Sequence, residues 1–190
     1  MKTIAEIVHD MNFPIKEFDN YSFGDKEYCK DLFEETFFEV DNTIRTFEYI
    51  KEYDQIIEWM TDTKRKGLAL FGSVGKGKTI INSFVIPVMF YTKFNKILRP
   101  QEANKLTKES LNKWALIIDD IGIEYIINDF GTKIDMVAEA INHAEHHSKL
   151  LFLTSNLTKD ELINKYGLRI FDRIKRLCKI IIFTGKSLRT

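Results

Sequence analysis

Cysteine is nearly missing from this chain: Cys29 and Cys178 are the only two among 190 residues. Two thiols so far apart make neither a disulfide framework nor a metal-ligand spacing. There are three prolines and nine glycines in all, which excludes long linkers rich in either. Net charge is absent too, because 28 basic residues balance 28 acidic ones. A neutral chain has no global pull toward nucleic acid or an anionic membrane. No apolar run approaches the roughly 20 residues of a membrane-spanning helix, and the first six residues hold no apolar signal core. These absences point to a globular protein of the cytoplasm, with no membrane partner. Its length suits one substantial domain and is marginal for two.

What charge there is lies unevenly. Residues 1–60 hold fifteen acids against six bases, and from Lys159 onward nine bases face three acids. An acidic front and a basic end suit head-to-tail self-association or an anionic ligand at the basic end. Two solvated faces explain the same pattern equally well.

The strongest signal is Gly72-Ser73-Val74-Gly75-Lys76-Gly77-Lys78-Thr79. It fits G-x-x-x-x-G-K-[ST], the phosphate-binding P-loop. Residues 68–71, Leu-Ala-Leu-Phe, read as a short buried strand before it, and a helix opens at Ile80 after it. Glycines let backbone N–H groups curl around phosphates, and a helix N-terminus favours negative charge there. Gly72 to Ile80 are therefore the expected nucleotide contacts. Lys78 is expected on the β- and γ-phosphates, and the Thr79 hydroxyl on Mg²⁺.

Hydrophobic periodicity gives the rest of the plan. Helices are expected over 3–11, 26–40, 44–60, from Lys78 to about Phe94, over 132–147, 159–166 and 169–177. Pro87 is expected to kink the fourth or stop it early. Strands are expected at 68–71, 97–98, 114–119, 150–153 and 180–183, with 101–112 a helix or loop. The aromatic stripes of the first 60 residues read as core rather than as stacking platforms. Strands alternating with helices mean an α/β fold on a parallel sheet.

Leu116-Ile117-Ile118-Asp119-Asp120 is the second signal. Parallel strands open their C-terminal ends onto the ligand crevice. Two acids there look like a Walker B element, with Asp119 toward Mg²⁺ and Asp120 deprotonating the attacking water. Asp is shorter than the Glu often found in that role, so either the water sits closer or Glu124 shares the work. Thr154-Ser155-Asn156 ends another buried strand and could reach the γ-phosphate. Arg169 and Arg173, four apart, share one helical face and suit the spread charge of phosphoryl transfer, often across subunits. His143 and His147 are also four apart, but without an HExxH pattern they do not argue for a metal site.

These blocks, in this order, resemble the AAA+ ATPases of the helicase-loader clade: the DnaC and DnaI loaders and the IstB transposition ATPases. The blocks are residues 72–79, Ile-Asp-Asp-Ile-Gly-Ile-Glu at 118–124, Thr-Ser-Asn at 154–156, Gly-Leu-Arg-Ile-Phe-Asp-Arg at 167–173 and Gly-Lys-Ser-Leu-Arg at 185–189. The resemblance covers about residues 13 to 190. It implies a P-loop three-layer sandwich with a five-stranded, mostly parallel sheet. Residues 1–65 would be a helical extension packed on that single domain, with no room for a separate helicase-binding domain. By resemblance Asn156 is sensor I, Arg173 the arginine finger with Arg169 beside it, and Arg189 sensor II. Phe18 to Tyr21 would run past the adenine. The implied cofactors are ATP and Mg²⁺. The implied partners are single-stranded DNA, a replicative helicase or a transposase, and further copies of the chain through a trans arginine. The implied activity is ATP hydrolysis in DNA replication or transposition. A nucleotide-gated interaction module with little hydrolysis is the alternative.

Overall fold

A computed structural model of the chain describes residues 3, 6, 19–41, 48–124, 127–129 and 132–185. Phe18, Arg189 and most of the expected helix over 3–11 lie outside these. Of that helix, Thr3 and Glu6 exchange reciprocal hydrogen bonds at 2.7 and 3.3 Å, a capping box that marks a helix start.

Helix α1 spans Lys26–Val40 and is capped by Asp25, whose side chain accepts from the Tyr28 N–H. Cys29, Phe33 and Phe37, four apart, form its buried stripe. Helix α2 spans Lys51–Thr61, beginning later than the expected residue 44; residues 42–47 lie outside the described part. Strand β1, Gly67–Gly72, is followed by one continuous helix, α3, in three stretches: Lys78–Ile80, a π-helical Ile81–Val85, and Ile86–Phe94. Pro87 does not stop α3, which runs on to Phe94. The π turn shifts the Ile86 N–H onto the Ile81 carbonyl, and Pro87 then opens the next stretch, where its missing N–H is no loss.

The chain continues through β2 (Pro100–Glu102), two 3₁₀ turns (Ala103–Lys105 and Lys108–Asn112) and β3 (Ala115–Asp119). A hairpin of β4 (Ile127–Asp129) and β5 (Thr132–Ile134) comes next. Then follow α4 (Met136–His146), β6 (Leu150–Ser155), α5 (Lys159–Tyr166), α6 (Leu168–Leu177) and β7 (Cys178–Phe183). The second strand falls at 100–102, not at 97–98, and residues 132–134 pair as a strand before the expected helix begins.

The main sheet has five strands in the order β2-β3-β6-β1-β7, and every pairing in it is parallel. Side chains alternate across it. Leu68 and Leu70 join Phe152, Ile181 and the buried faces of α1, α2 and α3 in one core layer. Ala69 and Phe71 join Leu151, Leu153 and the faces of α4, α5 and α6 in the other. This is the expected three-layer arrangement. Its consequence for function is that β1, β3, β6 and β7 all end on one edge of the sheet.

Candidate nucleotide site

The loop at that edge is fixed by close approach to β7. Gly72 has φ +118°, and a Cβ there would stand 2.1 Å from the Phe183 carbonyl oxygen. Ser73 donates its N–H to the same oxygen. Gly77, at φ +76°, turns the chain into α3, so the free N–H groups of the first turn face the loop interior. Ser73, Val74 and Thr79 are exposed, Gly75 and Ile80 are half-buried, and Lys76 and Lys78 are buried.

The Lys78 ammonium donates to the carbonyls of Gly72 and Ser73, both at 2.8 Å, and to Asn156 Oδ1 at 2.9 Å. Asn156 Nδ2 donates in turn to Asp120 Oδ1 at 2.9 Å. One side chain beyond the end of β6 thus joins Lys78 to Asp120, the first residue after β3. It can do so because β6 lies between β1 and β3 in the sheet.

Thr154 does the local fastening. Its hydroxyl donates to Asp119 Oδ1 at 2.6 Å and accepts from the Asp120 N–H at 2.7 Å. Asp120 has φ +58°, a left-handed conformation that non-glycine residues adopt at some cost. Burial raises the Asp120 pKa, as does Asp119, with Lys78 opposing and Glu124 adding to the rise. A carboxylate so placed is a better proton acceptor near neutral pH.

The groups fit a hydrated magnesium ion. Asp119 is 9% exposed and the Thr79 hydroxyl stands at the first turn of α3. Asn82, one turn on, donates to the Ile118 carbonyl, while its own Oδ1 is a buried side-chain oxygen without a partner among the described residues. Hard oxygen donors with a donor-seeking acceptor nearby suit such an ion.

Other expected residues lie apart from this cluster. Glu124 accepts from the Gly122 N–H at 2.7 Å, from the Tyr166 hydroxyl, and pairs with Lys165 at 3.1 Å. Burial, then this bond to Glu124, pushes the Tyr166 pKa far up. The Glu124 carboxylate therefore ties the loop after β3 to α5. Tyr21, expected beside adenine, sits in the core against Phe90 and Phe94, with centroids at 5.2 and 4.9 Å. Those rings lie at the far end of α3, about 18 Å or more along the axis from Lys78, because the aromatic cluster around Phe23 draws Tyr21 in. On α6, the Arg173 guanidinium donates to Glu145 and Asn142 of α4, and Arg176 also pairs with Glu145. Arg169 is exposed, on the rim of a depression of about 550 Å³ shared with Arg173 and Arg176.

Sequence reasoning missed two features. Glu52 of α2, 3% exposed, accepts from both the N–H and hydroxyl of Thr184 at 3.1 Å and so clamps the N-terminal helices to the end of β7. Burial opposes its charge, yet these bonds hold its pKa below the ordinary value. The other is the environment of Lys76, whose place in the motif permits any residue.

Of the solved structures, the crystal structure of the DnaC helicase loader superposes with a TM-score of 0.58 at 17% identity, covering 76% of this chain and 96% of that one. The chain has the fold of that loader. The DnaI crystal structure agrees, with a TM-score of 0.55 at 19% identity over 73% of this chain and 88% of DnaI. The three-layer sandwich on a five-stranded parallel sheet that the motifs imply is thus the one observed. No protein-family model matches the sequence, and no curated protein matches it. Among the described residues, no helix is long and apolar enough to cross a membrane.

Proposed function

We propose that this chain binds ATP and Mg²⁺, hydrolyses the ATP, and acts in the cytoplasm as an AAA+ accessory factor in DNA replication. The observation that carries the reading is the hydrogen-bonded line Lys78–Asn156–Asp120. It joins a lysine, an asparagine and an aspartate beyond the ends of three neighbouring strands, the groups this reading needs as phosphate-binding cation, polar sensor and proton acceptor. Likeness to the DnaC helicase loader supports a helicase as the protein partner, and this reading adds single-stranded DNA as a further ligand.

In the proposed reaction Lys78 leaves the carbonyls of Gly72 and Ser73 for the β- and γ-phosphates. Thr79 and Asp119 would hold Mg²⁺, which would supply charge neutralisation to the phosphates. Asp120 orients the water for in-line attack and takes its proton, and Asn156 fixes Asp120. Charge developing on the γ-phosphoryl group is met by an arginine of α6 from a neighbouring copy. Arg169 is exposed for that role, whereas Arg173 must first exchange Glu145 and Asn142 for phosphate.

Turnover measured over a range of protein concentrations, with and without single-stranded DNA and helicase, tests this. Specific activity should rise steeply as the chain assembles. ATP binding with flat, negligible turnover at every concentration would favour a second reading, a nucleotide-gated interaction module. The engagement of Glu124 by Tyr166 and Lys165 favours that reading, since it leaves the short Asp120 as sole base.

A further inference from the structure

The P-loop carries two lysines, and they point to opposite flanks of β1. Lys78 turns toward Asn156 at the end of β6. Lys76 turns toward the end of β7, where a Cβ placed on Gly185 would lie 3.5 Å from its ammonium. Lys76 is only 6% exposed, and among the described residues no hydrogen bond or ion pair reaches it. The buried acid on that flank, Glu52, accepts instead from Thr184. An ammonium this buried is costly unless an anion completes it.

The position of an anion that would complete Lys76 follows from the proposed hydrolytic groups. Asp119, Asp120 and Asn156 stand on the β3–β6 side, so the terminal phosphate belongs there. A polyphosphate lying across the loop then runs back toward β7, and its nucleoside end arrives at Lys76. We propose that Lys76 is a second phosphate-binding cation, which takes the α-phosphate of a bound nucleoside di- or triphosphate. This rests on the nucleotide reading above and adds which phosphate the second lysine holds. Because its contact does not involve the γ-phosphate, Lys76 contributes equally to holding substrate and product.

Calorimetric titration of MgATP and MgADP into the full chain tests this. Lys76→Met keeps the buried stem and removes the charge. It should weaken both nucleotides by the same factor, about 10- to 100-fold for one charge-assisted bond. Lys76→Gln should do the same should the methionine variant fold poorly, and Lys76→Arg should recover most of the affinity. Lys78→Ala should instead weaken ATP more than ADP. Unchanged affinities in Lys76→Met or Lys76→Gln would overturn the proposal, and so would a loss confined to ATP. A wild-type chain that binds neither nucleotide would refute the nucleotide reading itself, and this proposal with it.

Discussion

Replacing Thr154 by valine removes one oxygen and almost no volume, so its effect can be worked from the bonds lost. The Thr154 hydroxyl is 2% exposed and serves two partners. Losing the donor to the Asp119 carboxylate removes a charge-assisted bond, about 1.5–3 kcal/mol. The Asp120 N–H is left without its acceptor, at a further cost of about 1–3 kcal/mol. The extra methyl returns about 0.8 kcal/mol through burial. The net loss is about 3 kcal/mol, a large part of the roughly 5–15 kcal/mol that holds a domain folded. For a chain of this length that lowers the Tm by about 6–12 °C. Hydrolysis should fall further than stability does, because the left-handed Asp120 is held by this hydroxyl and by Asn156. Thermal unfolding and turnover per folded molecule are the assays, with Thr154→Ser as control, since it keeps the oxygen. A Thr154→Val variant that melts within about 2 °C of wild type and hydrolyses ATP normally would refute the idea that Thr154 organises the two acids.

Asp120→Asn should bind MgATP and stop hydrolysis, since an amide takes no proton from water. It should also melt higher than wild type at neutral pH. The folded-state pKa of Asp120 is raised, so the ionised acid destabilises the fold; the gain should vanish as pH falls below the ordinary carboxylate value of 3.8, which melting curves across pH 3 to 8 would show. Glu124→Gln should lower the Tm, through loss of the Lys165 ion pair and of one of the two bonds that the carboxylate oxygens accept from Gly122 and Tyr166, while turnover per folded molecule survives; loss of turnover at unchanged Tm would make Glu124 the base after all. Arg169→Ala and Arg173→Ala, each assayed alone and mixed with Lys78→Ala, separate the α6 arginines: the one acting in trans keeps ATP affinity, loses turnover by about 10³-fold, and regains part of it on mixing.

The sequence was most legible where the core makes one demand. The runs at 68–71, 115–118 and 150–153 are apolar at successive positions because both sheet faces are covered, and such runs read directly as buried parallel strands. The P-loop reads just as directly, because its glycines answer to backbone geometry. Legibility failed at the sheet edge. Strand β2 pairs on one side only, with β3, and Pro100 can open such a strand; Leu98, the apolar residue that suggested a strand three positions earlier, is buried in the core without pairing. The boundary at 132 failed differently. Asp135 caps α4 by accepting from the N–H groups of Val137 and Ala138, a signal present in the sequence three residues after the expected start. Partnerships of distant residues left no mark at all. Nothing near Glu124 announces Tyr166, and nothing near Arg173 announces Glu145, since each pair meets only through the fold.

The order of the strands explains why so much chemistry passes through Asn156. Were β1 and β3 neighbours, Lys78 and Asp120 could pair directly, and the acid would be held by the cation proposed to bind phosphate. With β6 between them, Asn156 offers its oxygen to one and its amide to the other, so each is oriented without neutralising its counterpart. An anion seated on the loop competes for Lys78 with the Asn156 oxygen, because a charged acceptor makes the stronger bond. It has no such claim on the amide that holds Asp120. Binding can therefore draw the lysine away while the proton acceptor stays in place, which is what a site needs if it is to bind first and hydrolyse second.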